Sequence, residues 1–224
     1  MENADVIKLL IFDLDGTLID SAPDIITATN ILLTRRGVPT QPDSVIVGAI
    51  GEGLKQFVFN LFPEVAGNQI ELAKLEHDFF ELYEQHLLIK TKVYPGAIEF
   101  LENWRGQLAI VTNKNFVFAE QIVAGLPLHR FPWVRVFGAD SLARRKPDPL
   151  PLLEVMKAAG VTPEEAVMIG DGLPDMRAAR AAGVHAIAIG FGYTKPELLM
   201  REGAAVLLNS FNELASVLEK LPAF

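Results

Sequence analysis

The chain has 224 residues, half of them hydrophobic, which is enough for one large domain or for a core domain with a smaller insertion. Its formal net charge of −8 disfavours a non-specific nucleic-acid surface, and the absence of cysteine excludes disulfides, a thiolate nucleophile and thiolate metal sites. No apolar run approaches the ~18 residues of a membrane-spanning helix. Glu2 and Asp5 precede a short apolar run, which is not typical of a signal peptide, so we expect a cytoplasmic protein.

The first predicted element is a buried strand, the β-branched and aromatic run from Val6 to Phe12. Asp13 and Asp15 follow it directly, and Gly16 begins a turn. Side chains two residues apart in an extended chain face the same side, so the two carboxylates are expected to point in one direction. A divalent cation would offset their repulsion and leave one carboxylate free as a nucleophile or proton carrier. The alternative for an isolated Asp15-Gly16 pair is an ordinary acidic turn.

The stretch between residues 20 and 91 is predicted to be helical, with no convincing strand. A first helix is expected near Pro23 and ends at Arg35-Arg36-Gly37, where cations are followed by glycine. A second helix is predicted over 53–62 and a third over 68–88, the latter with Asn68 and Glu71 as a possible capping box. The apolar stripes of these helices predict ordinary helix–helix packing.

From Tyr94 onward, predicted strands alternate with predicted helices. The strands are expected at 108–112, 134–137, 166–169, 185–189 and 204–208, and the helices at 95–104, 116–124, 149–159 and 174–182, with a final helix after the last strand that runs to Lys220. Such alternation predicts an α/β fold with a parallel sheet and right-handed crossovers. The helical block is therefore an insertion between the first strand and the rest, with hinges near 18–23 and 90–95.

Chemically useful side chains follow several of these strands. Because ligands of open parallel sheets bind at the carboxyl ends of the strands, the following residues are candidates for one site: Thr112, Asn113, Lys146, Asp171 and Asp175. Each type suits phosphoryl transfer, which needs a nucleophile, a cation and donors for the phosphoryl oxygens. The alternatives are a helix cap at Thr112 and Asn113, a solvated charge at Lys146, and a cap with a first-turn acid at Asp171 and Asp175.

The string Asp13-Leu14-Asp15-Gly16-Thr17-Leu18-Ile19-Asp20-Ser21 resembles the first signature of the haloacid dehalogenase superfamily, whose members are mostly phosphatases. Its continuation to Ile25 is most similar to the phosphoglycolate phosphatase branch. Thr112 resembles the second motif, Lys146 the third, and Gly170-Asp171 with Asp175 the fourth. The resemblance implies a Rossmann-like parallel-sheet core of residues 1–19 and 92–224 with an inserted α-helical cap domain of residues 20–91. Gly172 and Pro174 depart from the fourth motif and remove side-chain donors near the implied metal.

The resemblance also implies roles for these residues. Asp13 would attack phosphorus and become an aspartyl phosphate, while Asp15 would act as general acid and then general base. Mg²⁺ would be held by Asp13, the backbone carbonyl of Asp15, and Asp171. Thr112, Asn113 and Lys146 would bind the phosphoryl group, and Asp175 would support the site as a partner of Lys146.

The implied cap would close over the site and exclude water. Gly51, Glu52 and Gly53 resemble the cap loop that contacts the substrate, although a plain helix-linking turn is the alternative, and Lys55 could pair with an anionic substrate. We therefore predict a Mg²⁺-dependent phosphatase, monomer or homodimer, acting on a small phosphorylated metabolite, with phosphoglycolate the first substrate to test. The alternatives are a phosphosugar mutase with the same core and a phosphate-binding protein without turnover.

Overall fold

The computed structural model describes residues 7–65 and 67–221. The strands are β1 (Leu9–Phe12), β2 (Ile19–Asp20), β3 (Lys92–Val93), β4 (Gln107–Val111), β5 (Trp133–Phe137), β6 (Ala166–Gly170), β7 (His185–Ile189) and β8 (Val206–Leu208). The α-helices are α1 (Ala22–Arg35), α2 (Asp43–Val47), α3 (Leu54–Leu61), α4 (Gln69–His86), α5 (Ala97–Asn103), α6 (Phe116–Gly125), α7 (Leu150–Ala159), α8 (Leu173–Ala182), α9 (Pro196–Arg201) and α10 (Phe211–Leu218). Short 3₁₀ helices cover Pro63–Val65, Pro127–Arg130 and Pro163–Glu165.

Six strands form one parallel sheet in the order β5-β4-β1-β6-β7-β8, which confirms the predicted α/β fold. β1 lies between β4 and β6, and its Leu10 pairs with Leu108 on one side and Val167 on the other. The chain runs from β1 to β4 on one side and later reaches β6 on the other, so the strand order reverses at β1. In open parallel sheets such a reversal places the ligand site at the carboxyl end of that strand.

Both faces of the sheet are covered by helices, because successive side chains of each strand point to opposite faces. Leu10 and Phe12 of β1 enter an apolar cluster with α5, α6 and α10. Leu9 and Ile11 enter a second cluster with α7, α8 and α9. All four β1 side chains are fully buried, so the strand that carries the candidate site is held rigidly from both sides.

Helices α1 to α4 form a third apolar cluster, distinct from the two that cover the sheet. Its aromatic centre includes Phe57 of α3 with Phe79 and Tyr83 of α4, and the Phe57 and Phe79 ring centroids are 5.0 Å apart. Phe118 of α6 joins this cluster from the sheet side, with its ring centroid 4.3 Å from that of Phe80 and 5.0 Å from that of Tyr83. The helical block therefore packs on α6, next to the carboxyl edge of the sheet.

The two connections between the helical block and the sheet pair with each other as an antiparallel ribbon. Ile19 lies opposite Val93, and Asp20 lies opposite Lys92. Next to this ribbon, the buried Asp24 carboxylate accepts hydrogen bonds from the backbone N–H groups of Lys90 and Thr91 and from the Thr91 hydroxyl, at 2.7 to 3.0 Å. This packing supports the proposed division into a core and a cap of residues 20–91.

The sequence patterns located the long elements and missed two short helices, α2 and α9. Each has at most six residues, too few to show an apolar stripe of helical period. The first strand begins at Leu9 and not at Val6: Val6 lies outside the described residues, and Ile7 and Lys8 precede the strand. The last begins at Val206, two residues later than predicted, and the other predicted strands agree within one residue at each end. None of the helices in the described part of the chain is long and apolar enough to cross a membrane.

Candidate active site

Asp13 and Asp15 extend from the carboxyl end of β1 into a tight turn. The Asp13 N–H donates to the Ile169 carbonyl of β6 at 2.9 Å, which continues the sheet pairing by one residue. The turn at Gly16 has a φ of +78°, a conformation that residues with a side chain rarely adopt. A Cβ on Gly16 would also lie 2.2 Å from the Asp171 carboxylate. Only glycine therefore allows the two acidic loops to approach this closely.

Three buried carboxylates meet at this edge, because Asp13, Asp171 and Asp175 bring oxygen atoms within 4.8 Å of one another. The Lys146 ammonium lies 3.1 Å from Asp13 Oδ1 and 2.5 Å from Asp175 Oδ1, and its side chain is 1% exposed. Burial by itself lowers the pKa of Lys146, but Asp13 and Asp175 raise it above its usual value, so the ammonium stays charged. The predicted contact between Asp175 and Lys146 is present.

The electrostatics of this cluster fit a divalent cation. Burial, and then repulsion from Asp175, raises the pKa of Asp13 to about 7, and burial followed by repulsion from Asp13 raises that of Asp171 well above its usual value. With all three carboxylates ionised, the cluster and the Lys146 ammonium would carry −3 + 1 = −2. A dication held by oxygen ligands would neutralise that charge. Because the Lys146 ammonium lies closest to Asp175, the residues able to hold the dication are Asp13 and Asp171.

The Asp171 carboxylate is oriented by two donors outside the fourth motif. The Thr17 hydroxyl donates to its Oδ1 at 2.9 Å, and the backbone N–H of Tyr193 donates to its Oδ2 at 2.8 Å. These bonds orient Asp171 although Gly172 and Pro174 provide no side-chain donor there. The Gly172 N–H instead donates to Asp175 Oδ2 at 2.8 Å, which orients the neighbouring carboxylate.

Asp15 is held by a buried lysine whose role the sequence did not reveal. The Lys114 ammonium lies 3.0 Å from Asp15 Oδ1 and 3.1 Å from Oδ2, and the Ser21 hydroxyl also donates to Oδ1. The same ammonium sits 4.5 Å from the ring centroid of Tyr83, on cap helix α4. Burial opposes the charge of Lys114, but Asp15 and Tyr83 raise its pKa above the usual value. This cation therefore fixes the Asp15 carboxylate from the cap side.

Thr112 and Asn113 follow β4 beside Lys146, as predicted, and both are buried. The Thr112 Oγ1 accepts from the Lys114 N–H at 3.2 Å. The Asn113 side-chain amide donates to the carbonyls of Lys146 and Gly51, each at 3.0 Å, so it ties the Lys146 loop and the cap loop to the sheet edge. Its Oδ1 is buried and has no hydrogen-bond partner among the described residues. The phosphate contacts of both residues stay predictions.

The three predicted cap residues occupy different surroundings. Gly51 and Gly53 line a cavity between the cap and the carboxyl edge of the sheet. Gly53 lies against the Arg145 guanidinium, where a Cβ would be 3.1 Å from Cζ. Lys55 is exposed and is not among the residues that line the cavity. The structure therefore brings the glycines of the cap loop to the site but not the lysine, whose pairing with a substrate stays a prediction.

A cavity of about 70 Å³ lies between the cap and the carboxyl edge of the sheet. The core contributes Asp13, Asp15, Thr112, Asn113, Lys114, Asn115 and Phe118 to its lining. The cap contributes Ile25, Ile50, Gly51, Gly53, Leu54, Phe57, Phe79 and Tyr83. The two aspartates of the first motif thus face a space that cap and core build together, as expected of an active site between a cap and a core.

Tyr193 is a further residue that the sequence analysis missed. It follows β7, and its hydroxyl accepts from the N–H groups of Ser21 and Ala22 and donates to Asp20 Oδ1 at 3.1 Å. Burial and the nearby Asp15 raise the pKa of this hydroxyl, which keeps it protonated. It joins the site to the start of α1. Ligands bind at the carboxyl ends of parallel strands, so the loop after β7 could also have been considered, and that loop contains Tyr193.

Comparison with known proteins agrees with this geometry. A family model of haloacid dehalogenase-like hydrolases matches residues 7–183. The chain is 35% identical over 219 residues to the phosphoglycolate phosphatase of Chromobacterium violaceum, with 95% of this chain and 97% of that protein covered. It is 34% identical over 220 residues to the phosphoglycolate phosphatase of Nitrosospira multiformis, with 96% of each covered.

A solved structure, described as a predicted phosphoglycolate phosphatase from Haemophilus somnus 129PT, superposes with a TM-score of 0.88. The alignment covers 96% of this chain and 99% of that one at 24% identity, which shows the same fold. The resemblance inferred from four short motifs is thus confirmed over nearly the whole chain. With the family model spanning more than half of its residues, the chain belongs to the haloacid dehalogenase-like hydrolases.

Proposed function

We propose that this chain is a Mg²⁺-dependent phosphomonoester hydrolase that acts through an aspartyl-phosphate intermediate. The observation that carries the proposal is the position of Asp13. Its carboxylate lines the cavity, lies 3.1 Å from the buried Lys146 ammonium and belongs to a cluster of three buried carboxylates. A nucleophile, a fixed cation and a site able to hold a divalent ion are the parts that phosphoryl transfer needs.

In the first step, a carboxylate oxygen of Asp13 attacks phosphorus. In the described structure, the Leu14 N–H donates to Asp13 Oδ1 at 2.7 Å, and the Lys146 ammonium contacts the same oxygen. Oδ2 is therefore left for the attack. As the new O–P bond forms, the bond to the leaving alcohol breaks. Asp15 gives its proton to the alcohol oxygen, and Lys114 and Ser21 hold the Asp15 carboxyl in place for this transfer.

In the second step, the Asp15 carboxylate removes a proton from a water molecule, whose oxygen attacks phosphorus. The Asp13–phosphorus bond breaks, phosphate leaves, and Asp13 returns to its carboxylate form. Because its pKa is raised, Lys114 stays protonated throughout. Its ammonium therefore stabilises the Asp15 carboxylate that forms after proton donation and that acts as the base in this step.

Binding of the phosphoryl group is assigned to Thr112, Asn113 and Lys146, which lie together at the ends of β4 and its neighbouring loop. Asp13, Asp171 and the backbone carbonyl of Asp15 would hold Mg²⁺. When bound, Mg²⁺ would offset negative charge on the carboxylates and on the phosphoryl oxygens. Asp175 supports the site through Lys146.

The substrate would be a small phosphorylated metabolite, with its leaving group in the cavity beneath the cap loop of Gly51 and Gly53. Phosphoglycolate, which the names of the curated relatives contain, is the first ester to test. The apolar cap residues that line the cavity support water exclusion during the first step. We place the enzyme in the cytoplasm as a monomer or homodimer.

The decisive experiment measures phosphate release by the purified protein from a panel that includes p-nitrophenyl phosphate, phosphoglycolate and sugar phosphates. Activity is expected with Mg²⁺ and none in EDTA. Asp13→Asn should fold, because the amide is nearly isosteric, yet release no phosphate and form no beryllium fluoride adduct. Wild-type-like release by Asp13→Asn would overturn the nucleophile assignment. Phosphate exchange between sugar positions without release would instead indicate a mutase.

A further inference from the structure

The cap side of the cavity is almost wholly hydrocarbon. Five apolar side chains of the cap line it, and Phe118 of the core helix α6 adjoins them. These six, here called the apolar wall, are Ile25, Ile50, Leu54, Phe57, Phe79 and Phe118. They belong to the apolar cluster of the cap, so packing within the cap fixes their positions. Asp13 and Asp15 lie at the other end of the same cavity. With the phosphoryl group at Asp13, the leaving group must therefore lie against the apolar wall.

No unpaired cation faces this space among the residues described as lining it. Lys114 is the only lysine or arginine in that lining, and both oxygens of Asp15 already contact its ammonium. Lys55, the cap cation predicted to meet an anionic substrate, is exposed and lies outside the lining. A carboxylate on the leaving group would thus find no unpaired ammonium or guanidinium in this lining, and its burial against the apolar wall would be unfavourable.

Tyr83 adds one uncharged polar atom to this environment. The residue is 2% exposed and lines the cavity, and its buried hydroxyl, which neighbours the Lys114 ammonium, has no hydrogen-bond acceptor in the described part of the chain. Burial raises its pKa to about 12, so the hydroxyl remains neutral and able to donate. Buried hydroxyls are usually satisfied, so an unsatisfied one in a ligand cavity indicates a polar atom of the ligand.

We propose that this site selects phosphomonoesters whose leaving group is uncharged and mostly apolar, with at most one neutral oxygen or nitrogen to meet Tyr83. The proposal rests on the proposed phosphatase function and names the substrate class of the same site. It places phosphoglycolate, whose leaving group carries a carboxylate, among the poorer substrates. The apolar wall would provide selectivity by burying hydrocarbon, and Lys114 would remain paired with Asp15.

The test compares kcat/KM for phosphoglycolate, its neutral primary amide, butyl phosphate and benzyl phosphate, with p-nitrophenyl phosphate as reference. We expect the amide and benzyl phosphate to exceed phosphoglycolate by at least about tenfold, the low end of what one buried methylene group contributes to discrimination. Equal or faster turnover of phosphoglycolate would overturn the inference while p-nitrophenyl phosphate hydrolysis upholds the phosphatase. Absence of phosphate release from every ester would overturn both.

A charge inserted into the apolar wall tests the cause of this selectivity. Leu54 begins α3 and is only half-buried, so Leu54→Lys should be tolerated and should give an anionic leaving group a partner. We expect it to raise the ratio of phosphoglycolate to benzyl phosphate turnover by roughly tenfold. Gln56→Lys is the matched control, since it adds the same charge to an exposed position of the same helix outside the cavity lining. An equal change of the ratio in both variants would refute a local effect.

Discussion

The Lys114 ammonium contacts both carboxylate oxygens of Asp15, at 3.0 and 3.1 Å, and the cap residue Tyr83 covers the same ammonium at 4.5 Å. The group proposed to protonate the leaving alcohol is therefore held by a core lysine that the cap shields from water. The Lys114 side chain is only 6% exposed. This link connects the position of the cap to the geometry of proton transfer.

The first prediction concerns Lys114→Met, which keeps the length of the side chain and removes its charge. If Lys114 positions Asp15, esters with basic alkyl leaving groups should lose about 10²- to 10³-fold in kcat/KM, the range that general acid catalysis contributes. p-Nitrophenyl phosphate should lose less than about tenfold, because its leaving group needs little protonation. Lys114→Arg should restore part of the alkyl ester activity. Equal losses for both ester types would mean that Lys114 is structural.

The second prediction concerns the phosphoryl group, which all substrates share. Thr112→Val removes one hydroxyl at the buried end of β4 while nearly conserving its shape. We expect kcat/KM to fall by a similar factor, roughly 10- to 100-fold, for every ester, because the contact strengthens as charge shifts in the transition state. Thr112→Ser should retain most activity. A change in the ranking of substrates would place Thr112 at the leaving group instead.

Most of the fold could be predicted because its signals are local. The alternation of apolar runs with helical stripes predicted the order of the elements, and the motif residues marked the carboxyl ends of β1, β4 and β6. These ends are adjacent in a parallel sheet, so residues as distant as Asp13 and Asp171 could be expected at one edge. Helices as short as α2 and α9 offer no such periodic signal.

The contacts across the cap could not be predicted in the same way. That Tyr83 covers Lys114 depends on how α4 is rotated and where it crosses α6, which no local pattern encodes. The sequence could, however, have predicted which side chains of α3 face the cavity. Leu54 and Phe57 are three residues apart and share the face that lines the cavity, so Lys55, one residue after Leu54, is rotated away from it. Helical periodicity applied to this segment would have argued against a substrate contact from Lys55.

The third prediction concerns the hinge. Asp24 is 1% exposed and accepts from the N–H groups of Lys90 and Thr91 and from the Thr91 hydroxyl. Asp24→Ala should lower the free energy of unfolding by about 3–5 kcal/mol, since it leaves buried donors without an acceptor. Thr91→Val removes only the hydroxyl donor and should cost about 1 kcal/mol. Urea denaturation measures both values, and similar costs for the two variants would contradict a clamp centred on the Asp24 carboxylate.

The last prediction links pH, metal and stability. The pKa of Asp13 is about 7 in the folded protein and 3.8 as the reference value, because burial and the repulsion from Asp175 penalise its charged form. Between these two values the folded state binds more protons than the unfolded state, so the stability of the metal-free protein should fall as pH rises through that window. Asp171, whose pKa is also raised, acts in the same direction.

A dication bound to the ionised carboxylates would remove this penalty, so its effect on the melting temperature should grow with pH. We expect the difference in Tm between Mg²⁺ and EDTA to be small near about pH 5 and several degrees near about pH 7.5, which corresponds to an effect on the order of 1 kcal/mol or more. Asp13→Asn has no carboxyl group to ionise at this position and should show a weaker dependence on pH. If Mg²⁺ raised the Tm of the wild type equally at both pH values, the carboxylate cluster would not be its binding site.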